Sequence, residues 1–389
     1  MIETVKLGDV ATVKGGKRLP KGTNLITTPN SHPYIRVRDL NNQSTLELND
    51  DFEYVDDETQ KSISRYIVEA GDIVLSIVGT IGLVAIIGES LHKANLTENC
   101  VKLTQLDGVD RDYLYYFLKS GLGQAEIAKG TVGAVQAKLP IKNIQNIDVI
   151  LPDIETQKRI SSILRSIDDK ISTNQKINDN LQQQVAALFS KFYNQAETEV
   201  GFTEIIQVLG GGTPKTGEST YWNGNVPFFT PKDVGSPYTL TTEKTITEEG
   251  LAHCNSRLYP VNTVFVTARG TVGKVGLPGV PMAMNQSCYA LVGKDTHQLL
   301  VYFYTLKAVD RLKHKASGAV FDAITTRDFE SEIIMKLSDD DTKDFLNVAE
   351  PIYQAVLSNS IENLRLASLR DSLLPKLMTG EIDVSDIQL

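Results

Sequence analysis

Apolar and amide side chains recur at alternating steps of four and three along one stretch: Ile160, Leu164, Ile167, Ile171, Asn174, Asn178, Leu181, Val185, Leu188 and Phe192. That is the a and d spacing of a helical seam, held for roughly five heptads. The pattern returns at a constant offset of 185 as Phe345, Ala349, Ile352, Val356, Asn359, Asn363, Leu366, Arg370, Leu373 and Leu377. One apolar stripe fits a helix packed on its own domain. Two equal stripes with asparagines at matching places favour pairing with each other, because a seam amide is satisfied only opposite a polar partner and so fixes register. Pro351 lacks an N–H, which predicts that the second helix begins or bends there. Elsewhere, short stretches rich in Gly, Pro, Thr and β-branched residues predict strands and turns, with brief helices near 112–119 and 299–312.

The rest of the chain is also written twice. Tyr34-Ile-Arg-Val-Arg-Asp-Leu precedes Phe228-Phe-Thr-Pro-Lys-Asp-Val by 194 residues, and Gly79-Thr-Ile-Gly precedes Gly270-Thr-Val-Gly by 191. Cys100, Tyr116, Leu118 and Lys119 pair with Cys288, Tyr304, Leu306 and Lys307 at 188, and Gly133-Ala-Val pairs with Gly318-Ala-Val at 185. Ordered matches with a slowly drifting offset mark a duplication. The uncharged run 73–88 is 16 residues long, and its counterpart carries Arg269 where the first copy has Val78. Buried strands around a glycine turn fit both copies, and a membrane span fits neither.

The expected class is α+β: two repeated β-rich domains (1–152 and 197–338) joined by two long antiparallel coiled-coil helices (153–196, and 339–389 with the C-terminal tail). If the copies are related by a pseudo-two-fold, the second helix must run back along the first. A seam of 33 residues at about 1.5 Å each would span roughly 50 Å, giving a dumbbell.

With 389 residues, 41% hydrophobic and 22% charged, the chain has ample material for more than one core. Three scattered cysteines and five histidines without ligand spacing exclude a disulfide framework and a metal site. The N-terminus lacks a signal-peptide layout, so a reduced, cytoplasmic protein is expected. Catalytic signatures are missing: no G-x-S-x-G, no H-E-x-x-H, no Asn/Asp-Pro-Pro-Tyr, and no nuclease carboxylate–lysine spacing. Gly210-Gly-Gly-Thr-Pro-Lys-Thr lacks the spacing of a phosphate loop. The chain reads as binding, with no catalytic residues, metal or cofactor of its own.

A net charge of −9 argues at first against nucleic acid. Mapped along the chain it does not, since residues 338–389 hold ten acidic and four basic residues, −6 of that total. Val10 to Arg38 holds six basic residues and no acid, and Gly250 to Lys294 is also acid-free. Basic loops rich in Gly and Thr suit phosphate contact, and arginine also reads guanine edges; the plain alternative is a solvated face. The candidate DNA-contacting residues are Lys14, Lys17, Arg18, Lys21, Arg36, Arg38 and Lys138 in the first copy. In the second they are Lys215, Thr216, Lys232, Arg269, Lys274, Lys313 and Lys315.

Several strings carry a family resemblance: Gly211-Gly-Thr-Pro-Lys-Thr, Tyr221-Trp-Asn-Gly-Asn-Val-Pro-Phe-Phe, Gly71-Asp-Ile-Val-Leu-Ser, Leu151-Pro with Glu155-Thr-Gln157, and Leu369-Arg-Asp-Ser-Leu-Leu-Pro-Lys-Leu-Met-Thr-Gly-Glu-Ile-Asp. Together they resemble the DNA-specificity subunit of Type I restriction-modification systems. The first copy departs from the pattern at Gly15-Gly-Lys-Arg-Leu-Pro-Lys, which lacks the Thr-Pro-Lys core. The resemblance implies two target-recognition domains on a helical spacer, each reading half of a bipartite site in double-stranded DNA. It also implies two modification subunits bearing S-adenosylmethionine, which two ATP-dependent restriction subunits can join. On the residues alone, a helical scaffold that never touches DNA, or an independent nuclease or methyltransferase, stays open.

Overall fold

The computed structural model describes residues 3–40, 44–133, 136–315 and 323–385. The chain divides into two compact units, residues 1–171 with 365–389, and residues 172–364. Gly318-Ala-Val and most of Gly133-Ala-Val lie outside the described residues.

In the first unit the larger sheet holds β1 (Thr12–Gly15), β2 (Thr45–Leu46), β3 (Ile73–Ser76), β4 (Val84–Ile87) and β5 (Cys100–Thr104), in spatial order β1-β5-β3-β4-β2. Ile73 of β3 faces Leu103 on one side and Ile86 on the other, both antiparallel, while β2 joins β4 in parallel. β3 and β4 are buried along their whole length, so they read as an apolar run and not as an alternation. A second sheet has the order Glu53–Tyr54, Pro33–Ile35, Asn95–Leu96. Helix α1 (Arg111–Lys119) is buried from Tyr113 to Leu118. It starts where the Asp110 carboxylate accepts the Tyr113 N–H at 2.8 Å, the usual way a first-turn donor is satisfied. Ile160 and Leu164, from helix α2 (Ile154–Gln195), and Leu377 and Met378 complete this core.

The second unit repeats the plan strand for strand. Its sheet of β6 (Ile206–Gly210), β7 (Tyr238–Thr239), β8 (Val264–Thr267), β9 (Val275–Pro278) and β10 (Cys288–Gly293) has the order β6-β10-β8-β9-β7. Its smaller sheet runs Lys244–Ile246, Trp222–Phe229, Ala283–Met284. Helix α3 (Gln298–Lys315) replaces α1 and is longer than the periodicity near 299–312 predicts. Gly16 and Gly211 occupy the same corner of each repeat. A Cβ on Gly16 would come within 2.0 Å of the Thr97 carbonyl oxygen, and one on Gly211 within 2.1 Å of that of Asn285. Gly16 and Gly211 are therefore required by close backbone approach, and no α-helix opens directly after Gly210–Gly212 to make a phosphate loop.

The seam residues divide between the units. In the second, where α2 meets α4 (Asp339–Met378), Asn359 donates to the Asn178 side-chain oxygen at 2.8 Å and Asn174 donates to that of Asn363 at 2.9 Å. Rising numbers on one helix meet falling numbers on the other, so the pairing is antiparallel. Asn178 also donates to the Val356 carbonyl at 3.3 Å, Val356 is buried, and Leu181 and Ile352 are half-buried. In the first unit Ile167 is buried, and Ile171 and Leu366 are half-buried. There Arg370 donates to Asp168 at 2.7 Å while the Tyr116 hydroxyl donates to the other carboxylate oxygen at 2.7 Å. Burial first, and then the Asp168 carboxylate, hold the Tyr116 hydroxyl protonated far above its ordinary range.

Two expectations about the helices need correction. α4 begins at Asp339, so Pro351 lies well inside it. The proline is tolerated because it and Asn347, whose carbonyl it leaves without a helical donor, both face solvent. The stripe also drifts: Phe189 and Tyr193 are buried where Leu188 and Phe192, half-buried, continue the heptad. A straight helix slips against a seven-residue repeat. Phe189 packs on α3, with Phe303 at 4.9 Å and Tyr304 at 5.6 Å between ring centres. Each helix is thus a seam in one part and a wall of its own domain in another. None of the described helices is long and apolar enough to cross a membrane.

Candidate nucleic-acid interface

The two repeats share one turn down to its hydrogen bonds. At the end of β3, the Ser76 hydroxyl donates to the Thr80 carbonyl at 2.6 Å and accepts the Leu83 N–H at 2.8 Å. At the end of β8, Thr267 donates to the Thr271 carbonyl and accepts the Lys274 N–H at 2.9 Å. Glycines with φ of +82° and +93° (Gly79, Gly82) and of +84° and +75° (Gly270, Gly273) make the reversals that side-chain-bearing residues resist. The flanks match too. Ile77 N–H reaches Asn99 and Ala268 N–H reaches Ser287, each at 2.8 Å, and incoming Leu139 and Ile324 N–H groups close the other side at 2.9 Å. Two rigid tips result, one bearing Val78 and the other Arg269.

In the second unit the tip borders a cleft of about 340 Å³ lined by Thr230, Pro231, Lys232, Glu243, Lys244, Arg269, Gly270, Asn285 and Ser287. Asp233 shapes one wall by accepting the Thr230 N–H and the Glu243 N–H, both at 2.8 Å. That leaves Lys232 projecting outward, with its ammonium 3.6 Å from Glu243. Lys244 lies over the Trp222 ring at 5.8 Å, and the Trp222 indole N–H donates to the Lys215 carbonyl at 3.2 Å. Lys215 and Thr216 are exposed on this loop. Lys274 is exposed, and Lys313 leans on the turn, its Cε only 2.6 Å from where a Cβ on Gly273 would stand. Lys315 is drawn away: with Arg311 (3.1 Å) it neutralises the buried carboxylate of Glu332.

The first unit presents its cations differently. Asp39 plays the part of Asp233, accepting the Arg36 N–H at 2.7 Å. Glu53 takes up both arginines, in close contact with Arg36 and 2.9 Å from Arg38. Arg18 pairs with Glu98 at 2.7 Å. Partial burial raises the proton affinity of Glu98, but hydrogen bonds from Arg18, its own backbone N–H and Thr97, together with the Arg18 charge, outweigh it and leave the carboxyl below its ordinary range. Lys17 lies over the Tyr66 ring at 5.5 Å, and Lys14 and Lys21 are exposed. Lys138 is exposed on a segment whose backbone bridges Val78 and Val132. The stretch Val10 to Arg38, acid-free in sequence, is not acid-free in space.

Residue types alone missed Glu243, Lys244 and Asn285 in the cleft, Trp222 beneath Lys244, and Glu53 and Glu98 in the first unit. One signal was available: Asn285-Gln286-Ser287 and Thr97-Glu98-Asn99 are polar triplets preceding the matched cysteines. Burial pushes the thiols of Cys100 and Cys288 up to about 12, so both stay protonated at neutral pH. Among the described residues no cluster of His, Cys, Asp and Glu could hold a metal ion.

Known proteins share this architecture. The family model for the type I restriction modification DNA specificity domain matches residues 2–183 and 196–336. The type I restriction enzyme MjaIX specificity subunit of Methanocaldococcus jannaschii is 21% identical over 408 residues, spanning 98% of this chain and 94% of that protein. The HindI specificity subunit of Haemophilus influenzae is 23% identical over 326 residues, 63% of this chain and 71% of that protein. The crystal structure of a type I restriction-modification S subunit from M. genitalium is similar with a TM-score of 0.60 at 14% identity, covering 97% of this chain and 96% of that one. At that identity the likeness is one of fold.

Proposed function

The chain belongs to the type I restriction-modification DNA specificity family, and on that premise we propose that its two units each read one half of a bipartite duplex target. The observation that carries this reading is the repeated turn: the same scaffold is built twice with different residues at its tip. One fold used twice with altered reading groups is what recognition of two unlike half-sites requires. Exposed Lys215, Lys232, Lys244, Lys274 and Lys313 would hold phosphates beside the second tip. Lys14, Lys17, Lys21 and Lys138 would do so in the first unit. The reaction itself belongs to partners. Two modification subunits carrying S-adenosylmethionine would transfer methyl groups to adenine, two restriction subunits would use ATP, and this chain would hold no cofactor, all in the cytoplasm.

The test is to assemble the full chain with its modification subunit and map methylated adenines on genomic DNA. Methylation at one two-part motif with a fixed gap is expected. Methylation scattered without a motif, or no sequence-dependent footprint from the complex, would overturn the reading in favour of a scaffold that does not read DNA.

A further inference from the structure

The contents of the second cleft divide by what each polar group is already doing. Asn285 has the amide that pairs with adenine, but its oxygen accepts the Ser287 N–H at 3.0 Å, which ties the amide back to its own loop and leaves one lone pair in place of two for a base. Glu243 is held by Lys232 at 3.6 Å. Lys232 and Lys244 are point charges on flexible stems, suited to phosphate more than to a base edge. Arg269 differs from all of these. It is exposed, and no described carboxylate lies within ion-pairing distance of it. It is also the lone arginine among the described residues lining the cleft. Its backbone is fixed on three sides: its own N–H meets the Ser287 carbonyl at 3.3 Å, Ala268 N–H meets the same oxygen at 2.8 Å, and Gly270 turns the chain at φ +84°.

We propose that Arg269 reads a guanine in the half-site of the second unit, through the paired N–H donors of its guanidinium to O6 and N7. The inference rests on the DNA-reading function above and goes further by naming the residue and the base. Phosphate attraction tolerates a loose side chain, whereas a bidentate base contact needs its root fixed to a fraction of an ångström. The rigid turn supplies that root. Val78 at the equivalent tip offers no hydrogen bond, so the first unit reads its half-site by other means.

The experiment uses the full chain with its modification subunit and compares wild type, Arg269→Lys, Arg269→Ala and Lys232→Ala. Methylation motifs and competition binding against all four bases at each target position are measured. The wild-type motif should contain a guanine whose preference falls about tenfold or more in Arg269→Ala, at that base pair alone. Arg269→Lys keeps the charge and loses the fork, so it should relax the same position while affinity for non-specific DNA stays near wild type. Lys232→Ala should weaken all sequences evenly. If wild type shows a two-part motif but neither Arg269 variant changes any base preference, or both weaken every sequence evenly, the guanine assignment falls and the function stands. If wild type shows no motif, the function falls first.

Discussion

Glu53 touches both arginines of the motif Arg36-Val-Arg-Asp, and Asp39 holds the same turn from the other side. A charge count along the sequence makes this the most basic stretch of the first copy, yet folding returns carboxylates from residues 39, 53 and 98 to three of its cations. The residue types were legible; their neutralisation was not, because it depends on contacts between residues up to 80 apart. Lys215 meets no described carboxylate, and that difference is measurable. Lys215→Ala should reduce the slope of log affinity against log salt by about 1, as loss of one phosphate contact does. Arg38→Ala should reduce it by less, since Arg38 already gives charge to Glu53. Titrating a labelled target duplex with salt checks both, and equal slope changes would show that Glu53 does not neutralise Arg38 on DNA.

At the scale of elements, the heptad pattern announced both long helices, and the matched asparagines announced which residues meet. The pattern could not announce where the helices stop pairing with each other and start walling their own domains. That switch is made by aromatic residues of α3 such as Phe303 and Tyr304, which lie far off in sequence. Nor did it reveal that the repeats part company in the seam. Asp168 and Arg370 form a part-buried ion pair in the first unit, while their counterparts at the 185 offset, Tyr353 and Val185, are aromatic and aliphatic. Arg370→Leu strands the Asp168 carboxylate and should cost about 3 kcal/mol of stability. The double change Asp168→Leu with Arg370→Leu, made in a Tyr116→Phe background so that no buried hydroxyl loses its acceptor, should recover most of it, since the pair's own net contribution is small. Urea unfolding of the full chain measures this, and a double variant no better than the single one would mean the ion pair is not what stabilises this seam.

Over the whole molecule, duplication was the most legible fact, and the identical strand orders of the two large sheets bear it out. The order itself was hidden, because β2 and β7 join their sheets in parallel through pairings that no local pattern records. The net charge of −9 stays a whole-molecule property. It opposes binding to a polyanion at long range, whatever the local loops attract. The isolated chain should therefore bind its target only weakly at physiological salt, in the micromolar range typical of non-specific contacts. Adding the modification subunit should tighten binding by about a hundredfold or more. Fluorescence anisotropy with and without that subunit decides it, and nanomolar binding by the chain alone would refute it. The twice-built turn has a consequence over longer times. Its fastening bonds come from Ser76 or Thr267 and from backbone, not from the tip, so valine and arginine are carried equally well. A lineage can exchange the tip residue in one copy without disturbing the fold of the other. The repertoire of addresses open to such a protein then grows as the product of its two halves, not as their sum.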